Sequence, residues 1–251
     1  MNLRSLSLMK KNGKKITMLT CYDATFASIL ESVGIDAILV GDSLGIVIKG
    51  DSNTHNVSLD DMLYHTKAVS QGLKSTFIIS DLPIGTYKTT ELAYQSALRL
   101  IEAGAHMVKL EGDTSLADTI RHLKVKGISV CAHIGLMPQN IKDCDADKIK
   151  EILKNSSEKL LEDAKALEKS GADMIVLSSI SEDIAKKITL TLSIPTIGFN
   201  TGKTCDGEVF ILYDLLMQPQ RSHHLYLENQ LSHDKINIVQ DFLMQFIKDH
   251  S

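Results

Sequence analysis

Hydrophobic residues along this chain fall into two alternating patterns. Short runs rich in Val, Ile, Leu and Met recur at 16–20, 37–40, 77–81, 107–111, 129–133, 174–178 and 196–199, with a shorter eighth near 209–212. Runs that are apolar on both faces predict strands covered on both sides, as in parallel sheets. Between them, 90–103, 158–170 and 182–192 carry apolar residues at the 3.6-residue period of amphipathic helices. Two of these stretches end at a glycine leading into the next strand, in Ala103-Gly104-Ala105 and Ser170-Gly171-Ala172, the usual sign of a helix C-terminus. About eight strand–helix units at this spacing predict an α/β fold, a closed (β/α)8 TIM barrel. An open doubly wound sheet is the competing architecture, but no GxGxxG turn follows the first strand. The barrel is expected to form one domain over 1–251. A charged stretch at 143–155 reads as a solvated helix or loop. A helical tail is expected from about 218, with an amphipathic segment at 236–247 packed on the barrel or on a neighbouring subunit.

Three of the apolar runs lead into an acid: Asp42 after Val40-Gly41, Asp81 after Ile79-Ser80, and Glu111 after Leu110. Parallel α/β folds build their active sites at the C-terminal ends of strands. Three carboxylates converging there would form a hard, oxygen-rich site suited to Mg²⁺. The alternative is that each acid caps the next helix or closes a turn. Lys109 and Glu111 alternate with Val108 and Leu110, so both project from one face of a strand. Inside a barrel that pair is costly unless a ligand, a metal or a structural salt bridge matches it. His133 ends the following strand. By itself it reads as a core histidine, and its place beside the Lys109/Glu111 strand makes it a candidate site residue.

Composition narrows the class. With 251 residues, 43% apolar and 23% charged, the chain is an ordinary globular protein. A net charge of −4 gives no electrostatic case for nucleic acid or an anionic membrane. No apolar run approaches the roughly 20 residues needed to span a bilayer, and the N-terminal residues lack a signal-peptide h-region. Cys21, Cys131, Cys144 and Cys205 are scattered without a CxxC pair, as expected of reduced thiols in a cytoplasmic enzyme.

Taken in order, several segments resemble the ketopantoate hydroxymethyltransferase family. They are Thr20-Cys21-Tyr22-Asp23, Val40-Gly41-Asp42-Ser43-Leu44-Gly45, Tyr64-His65-Thr66-Lys67-Ala68-Val69, Asp81-Leu82-Pro83, Val108-Lys109-Leu110-Glu111-Gly112 and His133-Ile134-Gly135-Leu136-Met137-Pro138-Gln139. Weaker matches follow at Ile194-Pro195-Thr196-Ile197-Gly198 and Asp206-Gly207, so the likeness covers roughly 1–215. The resemblance implies a (β/α)8 barrel that adds a one-carbon unit from 5,10-methylenetetrahydrofolate to 3-methyl-2-oxobutanoate in pantothenate synthesis. It implies Mg²⁺ held by Asp42 and Asp81 with Glu111 in or beside the shell, and a 2-oxo acid on the metal contacting Ser43 and Lys109. Lys109, His133 and the residue at position 178 are the implied catalytic group. A cytoplasmic homo-oligomer, a decamer by the same resemblance, is expected.

Two departures stand out. The family's general base is a glutamate at the end of the sixth strand, and aligning Gly171-Ala172-Asp173-Met174-Ile175-Val176-Leu177 places Ser178 there. A serine hydroxyl is a very poor base at neutral pH, and Glu182, four residues on, is expected inside the next helix. The glycine-rich lid that normally follows the His…Pro-Gln motif is replaced by Asn140-Ile141-Lys142-Asp143-Cys144-Asp145, and the turn after the seventh strand by Phe199-Asn200-Thr201-Gly202. The competing reading is therefore a non-catalytic or altered-activity paralogue that keeps the Mg²⁺/2-oxo-acid site.

Overall fold

Eight parallel strands close a barrel in sequence order in the computed structural model, which describes residues 1–140, 157–216, 245, 247 and 248. They are β1 (Ile16–Thr20), β2 (Ala37–Val40), β3 (Phe77–Asp81), β4 (Met107–Glu111), β5 (Val130–Gly135), β6 (Met174–Ser178), β7 (Thr196–Phe199) and β8 (Gly207–Phe210). The described helices are α1 (Leu3–Lys11), α2 (Ala24–Ser32), α3 (Leu44–Val47), α4 (Leu59–Gln71), α5 (Thr90–Glu102), α6 (Ala117–Val125), α7 (Ser157–Lys169), α8 (Glu182–Thr191) and α9 (Leu212–Leu216). The predicted strands and the helices predicted at 90–103, 158–170 and 182–192 are all present within a residue or two, while the helical tail expected from about 218 falls outside the described residues apart from 245, 247 and 248. The stretch at 143–155, Cys144 and the 236–247 segment lie outside the described residues, apart from helical positions at 245 and 247. No described helix is long and apolar enough to cross a membrane.

Alternation along the strands sorts side chains into two cores. Phe77, Ile79, Met107, Cys131, Met174 and Val176 point into the barrel, while Ile78, Val108, Leu110, Ala132, Ile175 and Leu177 pack outward against the helices. Leu6 and Met9 of α1 join the inner cluster and close the N-terminal end. The same parity carries Asp81, Lys109 and Glu111, His133 and Ser178 inward at the other end. A barrel interior is a packed core rather than a pore, so a small site forms only where the last inward positions are polar.

The eighth strand begins at Gly207, earlier than the apolar run at 209–212 suggested. A Cβ on Gly207 would lie 2.4 Å from the Ile16 carbonyl oxygen, so the approach of β8 to β1 requires glycine. Leu212 instead opens α9, its N–H donating to Thr20 Oγ1 at 3.1 Å. β5 likewise runs on to Gly135, whose φ of 97° turns the chain across the barrel mouth.

A recurrent lock secures the closed end. The residue just before each even-numbered strand accepts an N–H from the preceding odd-numbered strand. Asp36 accepts from Thr17 at 2.9 Å, Asp173 from Val130 at 3.1 Å and Asp206 from Thr196 at 2.8 Å. In the β3–β4 pair a histidine takes this role, with Ile78 N–H donating to His106 Nδ1 at 3.0 Å while the ring stacks on Phe77. Nδ1 accepts only when it is unprotonated. Partial burial, with the nearby N-terminal ammonium, lowers the His106 pKa. A depressed folded-state pKa means the contribution is complete above the unfolded value, about 6.5, and is lost as pH falls through that value toward the folded one. Replacing His106 by Asp, as in the other three pairs, should therefore flatten the decline of Tm between pH 7 and pH 5. The difference should correspond to about 1 kcal/mol or less for one partly exposed hydrogen bond. Identical Tm–pH slopes for the two proteins would show that this lock does not titrate.

Candidate active site

The polar mouth begins with the turn after β2. Gly41 has no room for a side chain, since a Cβ there would sit 2.9 Å from Ser43 Oγ and 3.5 Å from Asp81 Oδ2. This close turn brings the Asp42 N–H to Asp81 Oδ2 at 3.0 Å. It also sets Ser43 Oγ 2.7 Å from the hydroxyl of the buried Tyr22. Asp42, Asp81, Lys109, Glu111 and His133 are each no more than 5% exposed.

Lys109 sits among the acids. Its Nζ is 3.0 Å from Asp81 Oδ1 and 3.8 Å from Glu111 Oε1. His133 Nδ1 lies 3.1 Å from Glu111 Oε1 and 3.3 Å from Lys109 Nζ. One ring nitrogen cannot donate to the first and accept from the second. The shorter contact and the buried carboxylate's need for a donor assign the Nδ1 proton to Glu111. Nε2 of His133 is buried with no partner among the described residues.

Burial raises the pKa of Asp42 well above the ordinary carboxylate range, and the negative charges of Asp81 and Glu111 raise it further. Asp81 is also raised by burial, with Lys109 opposing. Glu111 goes the other way: desolvation is outweighed by His133, Lys109 and the Gln139 N–H. For Lys109, burial alone would favour the neutral amine, yet Asp81, Glu111 and Asp42 together hold the ammonium above its usual pKa. Three carboxylates face one ammonium, so the cluster is short of positive charge.

The sequence resemblance implied Mg²⁺ on Asp42 and Asp81, with Glu111 in or beside the shell. Among the described residues no three His, Cys, Asp or Glu side chains form such a ready-made group. Glu111 is engaged by His133 and Gln139, which leaves the pair Asp42 and Asp81. Two carboxylates completed by water and substrate suit Mg²⁺, so the donor set fits that ion without a third acid.

Gln139 is the site residue that the sequence reading did not single out. The 3-10 turn Pro138–Asn140 crosses the mouth after β5. From it the Gln139 N–H donates to Glu111 Oε2 at 3.1 Å, and Nε2 donates to Asp42 Oδ2 at 2.7 Å and to the Leu82 carbonyl at 3.1 Å. The Tyr87 hydroxyl donates to Gln139 Oε1. The only sequence signal was its place in the His…Pro-Gln motif.

Ser178 sits at the inward end of β6, fully buried, and its hydroxyl has no partner among the described residues. It does not line the mouth cavity, whereas Val176, two residues earlier, does. Glu182 is turned elsewhere: its Oε1 accepts from the Lys203 N–H at 3.1 Å, and its backbone carbonyl accepts from Thr204 Oγ1 at 3.3 Å. It is a brace for the β7–β8 loop. The cavity itself measures about 130 Å³. It is lined by Asp42, Ser43, Asp81 and Lys109, on or just after β2 to β4, and by Val176, Phe199 and Val209 of β6 to β8 across the barrel, with Leu39 of β2 also in its wall.

Comparison with known proteins places this architecture. The described barrel resembles phosphonopyruvate hydrolase (TM-score 0.70, 13% identity, covering 100% of this chain and 89% of that one). It also resembles 2,3-dimethylmalate lyase, a member of the PEP mutase/isocitrate lyase superfamily (TM-score 0.62, 16% identity, 99% and 98% covered). At such identities the likeness concerns the fold. Sequence relatives are far nearer. Proteins named 3-methyl-2-oxobutanoate hydroxymethyltransferase are 47% identical in Nitrosospira multiformis (83% of this chain, 80% of the relative) and 48% identical in Nitrosomonas eutropha (84% and 78%). The model of the ketopantoate hydroxymethyltransferase family matches residues 1–249. A barrel with this ordered set of strand-end residues, matched nearly end to end, belongs to the ketopantoate hydroxymethyltransferase family.

Proposed function

We propose that this protein transfers a hydroxymethyl group from 5,10-methylenetetrahydrofolate to 3-methyl-2-oxobutanoate, giving 2-dehydropantoate. The observation that carries the reading is the two-sided cavity. Its charged side matches a 2-oxo carboxylate, and its apolar side of Val176, Phe199 and Val209 matches a small branched alkyl group. A volume of about 130 Å³ suits an acid of this size.

Asp42 and Asp81 would hold Mg²⁺, which supplies Lewis acidity at the keto oxygen and so weakens the adjacent C3–H bond. Lys109 lies where negative charge builds as that proton leaves. A fixed ammonium in a dry site stabilises such charge without reorganising. Ser43, anchored by Tyr22, offers a hydroxyl to the substrate's oxygens. The apolar side holds C3 and its methyl groups, shielding a nucleophilic carbon from water until it meets the methylene donor.

A second reading rests on Ser178. It has no basic group, does not reach the cavity, and no neighbour among the described residues activates it. Glu182 is committed to the loop at 203–204. Substrate and metal binding would then persist while proton removal from C3 is slow, as in a weakly active or non-catalytic paralogue.

Three experiments test these readings. Asp81→Ala should abolish Mg²⁺-dependent binding of 3-methyl-2-oxobutanoate in calorimetry, and undiminished binding would remove the metal reading. Lys109→Ala should weaken oxo-acid binding and turnover by about 10-fold or more; a silent substitution would reduce Lys109 to a structural ion pair. Ser178→Glu should raise deuterium exchange at C3 of the bound oxo acid, because positioned bases contribute about 10²–10⁴-fold. Should the unsubstituted protein already exchange that proton at a rate the glutamate cannot improve, the second reading fails.

A further inference from the structure

We propose that Gln139, clamped by Tyr87, is a positioning residue that decides which carboxylate oxygens the site offers to a divalent cation. The inference rests on the reading that Asp42 and Asp81 hold such an ion. It concerns a residue on neither of their strands.

Gln139 is 2% exposed and every polar group of its side chain is used. Its two Nε2 hydrogens go to Asp42 Oδ2 and to the Leu82 carbonyl. Its backbone N–H goes to Glu111 Oε2. One residue from the loop after β5 therefore ties down an oxygen on each of two acids that arrive from β2 and β4. Asp42 keeps Oδ1, which meets no donor among the described residues. In Asp81, Oδ2 is occupied by the Asp42 N–H and Oδ1 faces Lys109.

The amide orientation follows from its surroundings rather than from the shape of the side chain, since the two ends of an amide are nearly alike. A flipped amide would set Oε1 against Asp42 Oδ2 and the Leu82 carbonyl, three acceptors in a buried space with no hydrogen between them. It would also turn an N–H₂ group toward the Tyr87 hydroxyl. The Asp42 and Leu82 acceptors therefore set the orientation, and the Tyr87 hydroxyl, which also lies 3.3 Å from the Glu111 carbonyl, holds Oε1 in it.

The consequence is electrostatic as well as geometric. The acids already outnumber the one ammonium, which lies against Asp81 and Glu111, while Asp42 Oδ2 receives the amide. A neutral amide donor on Oδ2 favours the ionised carboxylate without placing a second positive charge where the cation must sit. A lysine or arginine at this position would satisfy Asp42 and compete with the metal. Glutamine stabilises the anion and leaves the charge deficit for the ion. Partners of this kind behind metal-binding groups typically change affinity by about 10- to 100-fold.

The test uses the intact protein and two substitutions. Gln139→Met removes both amide groups at nearly constant volume, and Tyr87→Phe removes the clamp together with the hydroxyl's 3.3 Å contact to the Glu111 carbonyl. Calorimetric titration with Mg²⁺ alone, without oxo acid, should give a Kd raised by about 10- to 100-fold in Gln139→Met. A smaller rise in the same direction is expected in Tyr87→Phe. Saturating Mg²⁺ should then restore binding of 3-methyl-2-oxobutanoate, which a collapsed mouth would not allow. If Gln139→Met fails to fold, Tyr87→Phe decides alone. Unsubstituted Kd values in folded variants would overturn the inference while leaving the metal reading in place, and so would weakened oxo-acid binding that excess Mg²⁺ cannot restore. An unsubstituted protein that takes up no Mg²⁺ would overturn both.

Discussion

Three carboxylates share the mouth of this barrel only because Lys109 stands among them. Asp42, Asp81 and Glu111 are each at most 5% exposed, and burying that much like charge without compensation is prohibitive. The ammonium, 3.0 Å from Asp81 and 3.8 Å from Glu111, makes the arrangement tolerable without neutralising it. His133 and Gln139 supply further donors to what remains. The result is a site poised for more positive charge, the physical condition that a divalent cation with an anionic 2-oxo acid would complete.

Everything below the mouth serves to hold that cluster in place. The inner core of Phe77, Ile79, Met107, Cys131 and Met174 fixes β3 to β6 in register, so that Asp81 pairs with Lys109 and Glu111 with His133. At the far end, Asp36, His106, Asp173 and Asp206 tie odd strands to even ones, and α1 closes the opening. Stability is concentrated at one end of the barrel and chemistry at the other. The buried charge at the mouth is tolerated because the packed floor resists rearrangement.

The position of Ser178 has a clear meaning in this frame. A serine at the last inward position of β6 is too short to reach past Val176 into the cavity. The hydroxyl is left without a partner, a cost with no structural return among the described residues. Among the described residues, the β6 side chain that lines the cavity is Val176, which cannot take up a proton.

The sequence by itself determined the barrel, because strands buried on both faces leave runs of branched residues that no surface strand shows. It also determined the inward direction of Lys109 and Glu111, since strand alternation has a period of two. The start of β8 was not legible, because Gly207 adds nothing to an apolar run and its necessity comes from the Ile16 backbone, 191 positions away in the chain. Nor was the role of Gln139, a residue whose partners Asp42, Leu82, Tyr87 and Glu111 lie on other loops and strands. That His133 and the Gln139 N–H would take up the oxygens of Glu111 was likewise not legible. Periodicity reports which way a side chain faces. Which oxygen it offers depends on donors brought from distant parts of the chain, and only the closed barrel brings them together.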